Sequence, residues 1–91
     1  MVNEQITIQN KQGLHARPAT ALVNTAAKFK SEIFISRDDK KVNGKSILGL
    51  LVLAAEYGAK LNVEADGPDE EEAVKAIREL ADKHFGMGEG S

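Results

Sequence analysis

Gly13-Leu14-His15-Ala16-Arg17-Pro18-Ala19 marks the passage from an extended segment to a helical one, and its reading decides the fold. Proline is tolerated only in the first helical turn, where its missing N–H has no intrahelical partner, and it disfavours helical backbone at the residue before it. The first helix therefore starts between His15 and Pro18. Downstream, Ala19, Leu22, Val23, Ala26 and Ala27 recur at the spacing of one buried helical face, with Thr20, Asn24 and Lys28 on a polar one. This predicts a helix running to about Phe29. Upstream, Val2, Ile6 and Ile8 alternate with polar residues, Glu4 being the one break, which predicts a strand over Val2 to Gln9. Asn10-Lys11-Gln12-Gly13 is turn-rich and ends it, and Leu14 stands where it could staple onto the first helical turn.

Working outward from this junction, Glu32 to Arg37 carries Ile33 and Ile35 on one face and Phe34 on the other. Asp38-Asp39 turns it into a short Lys40 to Asn43 strand, a hairpin. Ser46 suits an N-cap before Ile47-Leu48-Gly49-Leu50-Leu51-Val52-Leu53, a short apolar helix ending before Gly58. Leu61, Val63 and Ala65 alternate with polar residues as a strand that stops at Gly67-Pro68. Asp69 with Glu72 gives a capping-box-like start to a last helix. Its buried stripe is Ala73, Val74, Ile77, Leu80 and Ala81, and Gly86 ends it. His84 falls in its last turn, where an imidazole complements the negative end of the dipole. The string β-α-β-β-α-β-α, with three amphipathic helices and half-buried strands, implies an α+β domain: an antiparallel sheet with three helices on one face. The domain spans 1–86, and the glycine-rich 87–91 is expected to be a flexible tail.

Ninety-one residues hold one hydrophobic core. With 42% hydrophobic and 29% charged residues the composition is that of an ordinary globular domain. A net charge of −2 gives no general pull toward nucleic acid or anionic lipid. No cysteine is present, which excludes disulfides and thiolate chemistry. The N-terminal residues lack the pattern of a secretory signal and no apolar run approaches a bilayer-spanning length, so a cytoplasmic protein without membrane insertion is expected. The acidic run Asp69 to Glu72 has metal-like composition, but consecutive residues at a helix start point in different directions and serve the dipole better. No metal and no cofactor are expected.

Chemistry is concentrated at the opening stretch. A helix start presents free backbone N–H groups and the positive end of the peptide dipoles, so it favours an anion. His15 has a plain alternative there, its ring capping a free N–H and covering the first turn. Arg17 weighs toward function, since its guanidinium is always charged and matches phosphate oxygens in a fork. Neutral imidazole carries a lone pair at pH 7 and can attack phosphorus without a separate base. No partner carboxylate, second histidine or metal cluster lies nearby in sequence to activate water. Such a site suits holding a phosphoryl group rather than hydrolysing one.

Gly13-Leu14-His15-Ala16-Arg17-Pro18-Ala19 followed by Lys45-Ser46-Ile47-Leu48-Gly49 resembles the HPr family, histidine phosphocarriers of the bacterial phosphoenolpyruvate:sugar phosphotransferase system. The resemblance spans nearly the whole chain. It implies an open-faced β-sandwich with sheet order 1-4-2-3. It also implies that His15 accepts a phosphoryl group on Nδ1 from enzyme I, charged by phosphoenolpyruvate, and passes it to enzyme IIA domains of sugar permeases. Arg17 would balance the phosphoryl charge, with the backbone N–H groups of Ala16 and Arg17 near its oxygens. Such a protein is a carrier with a covalent intermediate and not a stand-alone catalyst.

Ser46 read by position is an N-cap. The matching serine of many family members is phosphorylated by HPr kinase/phosphorylase, which implies regulation, with a catabolite-control transcription regulator as a further partner. A phosphoserine there would place about −1.5 to −2 charge beside Ile47 and Leu48. Ile47, Leu48 and Leu51, with Thr20, are accordingly expected to form an apolar docking patch around His15 on a monomeric carrier. His15 argues against the HPr-like catabolite regulators that lack the phosphorylatable histidine. It does not separate the sugar branch from the nitrogen-regulatory branch. A regulatory module acting through Ser46 alone and a βαββαβ ligand- or RNA-binding module stay open as different classes, although no aromatic pair is placed for stacking bases.

Overall fold

The computed structural model describes residues 1–87; residues 88–91, most of the expected tail, lie outside the described residues. The elements are β1 (Val2–Thr7), α1 (Ala16–Ala26), β2 (Glu32–Arg37), β3 (Lys40–Asn43), α2 (Ile47–Val52), β4 (Lys60–Asp66) and α3 (Glu70–Asp82). A 3-10 turn at His84–Gly86 follows. The four strands form one antiparallel sheet in the order β1-β4-β2-β3. Alternation is what lets it bury one face: Ile6, Ile33, Ile35, Leu61, Val63 and Ala65 are all closed off. Against that face lie Leu22 and Ala26 of α1, Leu50 of α2, and Ala73, Val74, Ile77 and Ala81 of α3. Glu4, the break in the β1 pattern, has a local reason, since its carboxylate meets Arg78 of α3 at 3.3 Å.

Of four local expectations, three are corrected. First, α1 ends at Ala26, three residues short of Phe29, and Ala27 is exposed rather than part of the stripe. Second, α2 ends at Val52, before Gly58 as expected. Ala54 takes a left-handed conformation (φ 49) while Arg37 Nη1 donates to the carbonyls of Leu53 at 3.4 Å and Ala54 at 3.1 Å, satisfying the end of the helix from a neighbouring strand.

Third, Asp69 is the N-cap of α3 but its side chain makes no cap hydrogen bond. Its carboxylate instead accepts from Lys30 N at 2.9 Å, Ser31 N at 2.9 Å and the fully buried Ser31 hydroxyl at 2.5 Å. These donors, the Ser31 hydroxyl foremost, hold the Asp69 carboxyl at about 2, well below its ordinary value. Glu70, not Glu72, reaches back, accepting from Gly67 N at 3.1 Å. Fourth, α3 stops at Asp82, so His84 is not in its last turn. His84 and Phe85 are left-handed (φ 56 and 54), with Gly86 also at positive φ. Phe85 is nonetheless driven into the core, 1% exposed. Met87 closes this turn, its N–H donating to His84 O at 2.9 Å.

Candidate functional site

His15 is the N-cap of α1, in extended backbone (φ −81, ψ −170). Its carbonyl accepts the first helical hydrogen bond, from Ala19 N at 3.0 Å. Its ring makes no cap hydrogen bond, so the capping alternative for this side chain fails. The N–H groups of Ala16 and Arg17 have no partner among the described residues, and Pro18 has no N–H to offer. Two free donors therefore point out of the helix start beside the imidazole, where the dipole favours an anion.

The ring itself is half-buried and asymmetric. Nε2 is closed off from solvent without a hydrogen-bond partner, whereas Nδ1 is neither sealed in nor bonded. The nitrogen available to a reactant is thus Nδ1. Arg17 is exposed and takes part in no ion pair or hydrogen bond among the described residues. Its charge is uncommitted. Ala16, Arg17 and Thr20 line one shallow depression of about 370 Å³ with Ala21, Asn24 and Met87. The Thr20 hydroxyl donates to Ala16 O at 2.7 Å.

The loop that carries His15 is held from two sides. Gly13 sits at φ 76, its N–H donating to Asn10 O at 2.9 Å, and Leu14 N donates to Ala55 O at 2.8 Å. A Cβ on Gly13 would collide with Ala55 O, so only glycine lets the two segments meet this closely. The 53–56 segment is itself fixed by Arg37, which also pairs with Glu56 Oε1 at 2.6 Å. The Glu56 backbone N–H, and then the Arg37 guanidinium, hold the Glu56 carboxyl below its usual range.

Ser46 caps α2, its Oγ accepting from Gly49 N at 3.1 Å, as its position predicted. Lys45 Nζ donates to Phe29 O at 2.8 Å and ties the start of α2 to the chain just beyond α1. The two helices pack on each other. With Leu50 buried, α2 turns Leu48 (74% exposed), Leu51 (39%) and Ile47 (36%) outward, and Val52 (61%) joins them. Isolated exposed aliphatic residues are ordinary, but four on a six-residue helix form an unpartnered apolar face. No group of three or more metal-ligating side chains occurs among the described residues. Among the described residues no helix is long and apolar enough to cross a membrane.

Sequence reasoning missed Asn10, Arg37, Phe85 and Met87. Asn10 was readable only through parity, since it shares the inward, even-numbered register of Ile6 and Ile8. The other three act across long sequence separations that carry no local signal.

Residues 2–83 match the family model of the PTS HPr component phosphorylation site. The phosphocarrier protein HPr of Neisseria meningitidis serogroup A is 47% identical over 89 residues, covering 98% of this chain and all of the relative. The HPr-like protein Crh of Halalkalibacterium halodurans is 46% identical over 83 residues, 91% of this chain and 99% of the relative. Among solved structures, HPr-C-His from Thermoanaerobacter tengcongensis superposes with a TM-score of 0.92 at 48% identity, covering 97% of this chain and 99% of that one.

Proposed function

The chain belongs to the HPr family of phosphotransferase-system components, and from that premise we propose that His15 is its phosphoryl-accepting residue and Nδ1 the accepting atom. The observation that carries this reading is the asymmetry of the ring, with Nδ1 open and Nε2 sealed, beside two free N–H groups and an uncommitted guanidinium. The Nδ1 lone pair attacks phosphorus on phosphorylated enzyme I. An N–P bond forms, the bond to the donor group breaks, and its electron pair returns to enzyme I. The reverse step on an enzyme IIA domain of a sugar permease regenerates the imidazole. Arg17 and the N–H groups of Ala16 and Arg17 balance the equatorial oxygens in both steps. Moderate binding serves a carrier, since strong ground-state binding would trap the phosphoryl group. Every group in this scheme comes from one chain, so one copy is the transfer unit, and the cytoplasm is its place of work.

Thr20, Ile47, Leu48 and Leu51 form the docking surface for both partners. Ser46 is the regulatory position: its phosphorylation by HPr kinase/phosphorylase plants a dianion beside Ile47 and Leu48 and weakens the contact with enzyme I. The same modification suits recognition by a catabolite-control transcription regulator. The presence of His15 favours the carrier over a regulatory relative that works through Ser46 alone. Incubation with phosphoenolpyruvate and enzyme I tests the reading: an acid-labile phosphoryl group mapped to His15 is expected. Absence of that label, with His15→Ala binding both partners normally, overturns it. Ser46→Asp is expected to slow transfer from enzyme I, and an unchanged rate removes the regulatory role.

A further inference from the structure

Two buried side-chain polar atoms lack partners among the described residues, and both belong to the short loop between β1 and α1: Asn10 Oδ1 and His15 Nε2. An unpaired polar atom shut away from water is costly, about 1–3 kcal/mol in protein settings, so a pair of them in one loop asks for an explanation. Their chemistry is complementary. Asn10 is fully buried, and its Nδ2 donates to His84 O at 2.9 Å. A carbonyl can only accept, so the amide orientation is settled and Oδ1 is the acceptor left over. On the other side, an imidazole that attacks through Nδ1 must carry its proton on Nε2, which makes the sealed Nε2 a donor.

The amide is also unusually well held for a residue in a turn. Its main-chain carbonyl accepts from Gly13 N at 2.9 Å, two residues before His15. Its side chain grips the left-handed His84–Gly86 turn, 74 residues away, whose neighbour Phe85 is locked in the core. Two consecutive non-glycine residues at positive φ carry strain that the surroundings must offset. A clasp that holds this turn against the β1–α1 loop does so and fixes where Oδ1 points.

We propose that Asn10 is a positioning residue for His15: its Oδ1 receives the Nε2 proton, directly or through one water, and so keeps the lone pair on Nδ1. This rests on the carrier reading of His15. Asn10 acts through the imidazole and touches neither the phosphoryl group nor the partner. The bond persists once Nδ1 is phosphorylated, because Nε2 is then the ring's one remaining protonation site.

The test compares the wild type with Asn10→Ala and Asn10→Asp by long-range proton–nitrogen NMR of His15, and by the rate of phosphoryl transfer from enzyme I. In the wild type a single tautomer protonated on Nε2 is expected. Asn10→Ala removes the acceptor: a mixture of tautomers is expected, with kcat about tenfold lower and KM little changed. Asn10→Asp loses the donor to His84 O but keeps an acceptor, so the Nε2–H tautomer is expected to return even where the C-terminal turn is loosened. A merely structural Asn10 predicts that both variants behave alike. Identical His15 spectra in the wild type and Asn10→Ala overturn the proposal, as does a mixture in Asn10→Asp equal to that in Asn10→Ala. Because the spectra are read on unphosphorylated protein, failure of enzyme I to label His15 defeats the carrier reading separately.

Discussion

Replacing Gly13 by alanine separates two costs that glycine avoids here, provided Gly58→Ala is measured beside it. Both glycines are left-handed, at φ 76 and φ 86. An L side chain in that region costs about 1–2 kcal/mol, and the loss of freedom in the unfolded alanine chain returns about half of that. At Gly58 nothing lies within 4 Å of an added Cβ, so the whole effect is this backbone term, about 1 kcal/mol. At Gly13 the Cβ also meets Ala55 O, the acceptor of the Leu14 N–H. Making room for it stretches that hydrogen bond and shifts a well-packed segment, adding about 1–2 kcal/mol. Gly13→Ala is therefore expected to lose about 2–3 kcal/mol, and each kcal/mol corresponds to about 4–8 °C in Tm for a domain of this size. Urea unfolding with the slope m compared across the three proteins reads both values. The Gly13 junction also carries His15, so slower phosphoryl transfer is expected for Gly13→Ala and not for Gly58→Ala. Equal midpoints for the two variants would refute the crowding argument, and a wild-type transfer rate in folded Gly13→Ala would refute the claim that this contact positions the histidine.

Arg17→Gln is expected to slow transfer from enzyme I at least tenfold while leaving Tm unchanged, because the guanidinium is exposed and holds no other group; rapid-quench kinetics and a thermal melt check the two halves. Phe85→Ala opens a cavity in the core and is expected to cost about 3–5 kcal/mol by urea unfolding, with the His84–Gly86 turn exchanging its amide protons first. Asp69 sets an acid limit. Its folded pKa, about 2, lies below the ordinary 3.8, so its contribution is fully present above 3.8 and is lost as pH falls toward 2. The gap in stability between the wild type and Asp69→Asn should accordingly narrow across that window, and a gap that stayed constant from pH 5 to pH 2 would contradict the assigned hydrogen bonds.

Periodicity carried most of the architecture because each element buries one face. Ile33 and Ile35, Leu61 and Val63, and the Ala73–Val74–Ile77–Ala81 stripe were readable as inward residues before any tertiary contact was known. The 1-4-2-3 order was legible only through the resemblance, since alternation says which side of a strand is buried and not which strand lies beside it. Two of the misread positions share one cause, a distant partner overriding a local motif. Asp69 followed by Glu72 matched a capping box, yet Ser31 and Lys30 offer that carboxylate three donors. His84 looked like a dipole cap, and Asn10 instead fixes its carbonyl in a left-handed turn. At the proposed site, His15, Arg17 and Ser46 stand out because their residue types are chemically conspicuous. Asn10 was hidden, because a turn asparagine is ordinary until its burial is known.

The proposed division of labour follows from what each group is free to do. A hydrolase needs a water held and activated, and the described residues set no carboxylate or second imidazole in hydrogen-bond contact with His15 to deprotonate one. Arg17 and the N–H groups of Ala16 and Arg17 have no protein partner among the described residues, so they are available to a phosphoryl group on His15. Such groups stabilise a transferring phosphoryl group while it is shared with a partner and release it just as readily in the other direction, because the stabilisation is symmetric about the ring nitrogen. Docking then has to supply the direction. An apolar face on α2, a helix packed against the one His15 begins, is where a single charge at Ser46 would alter docking without altering the chemistry at Nδ1. Transfer rates at saturating enzyme I should therefore respond to Arg17 and Asn10 and not to Ser46→Asp, whose effect should fall on KM; an effect of Ser46→Asp on kcat alone would break this separation.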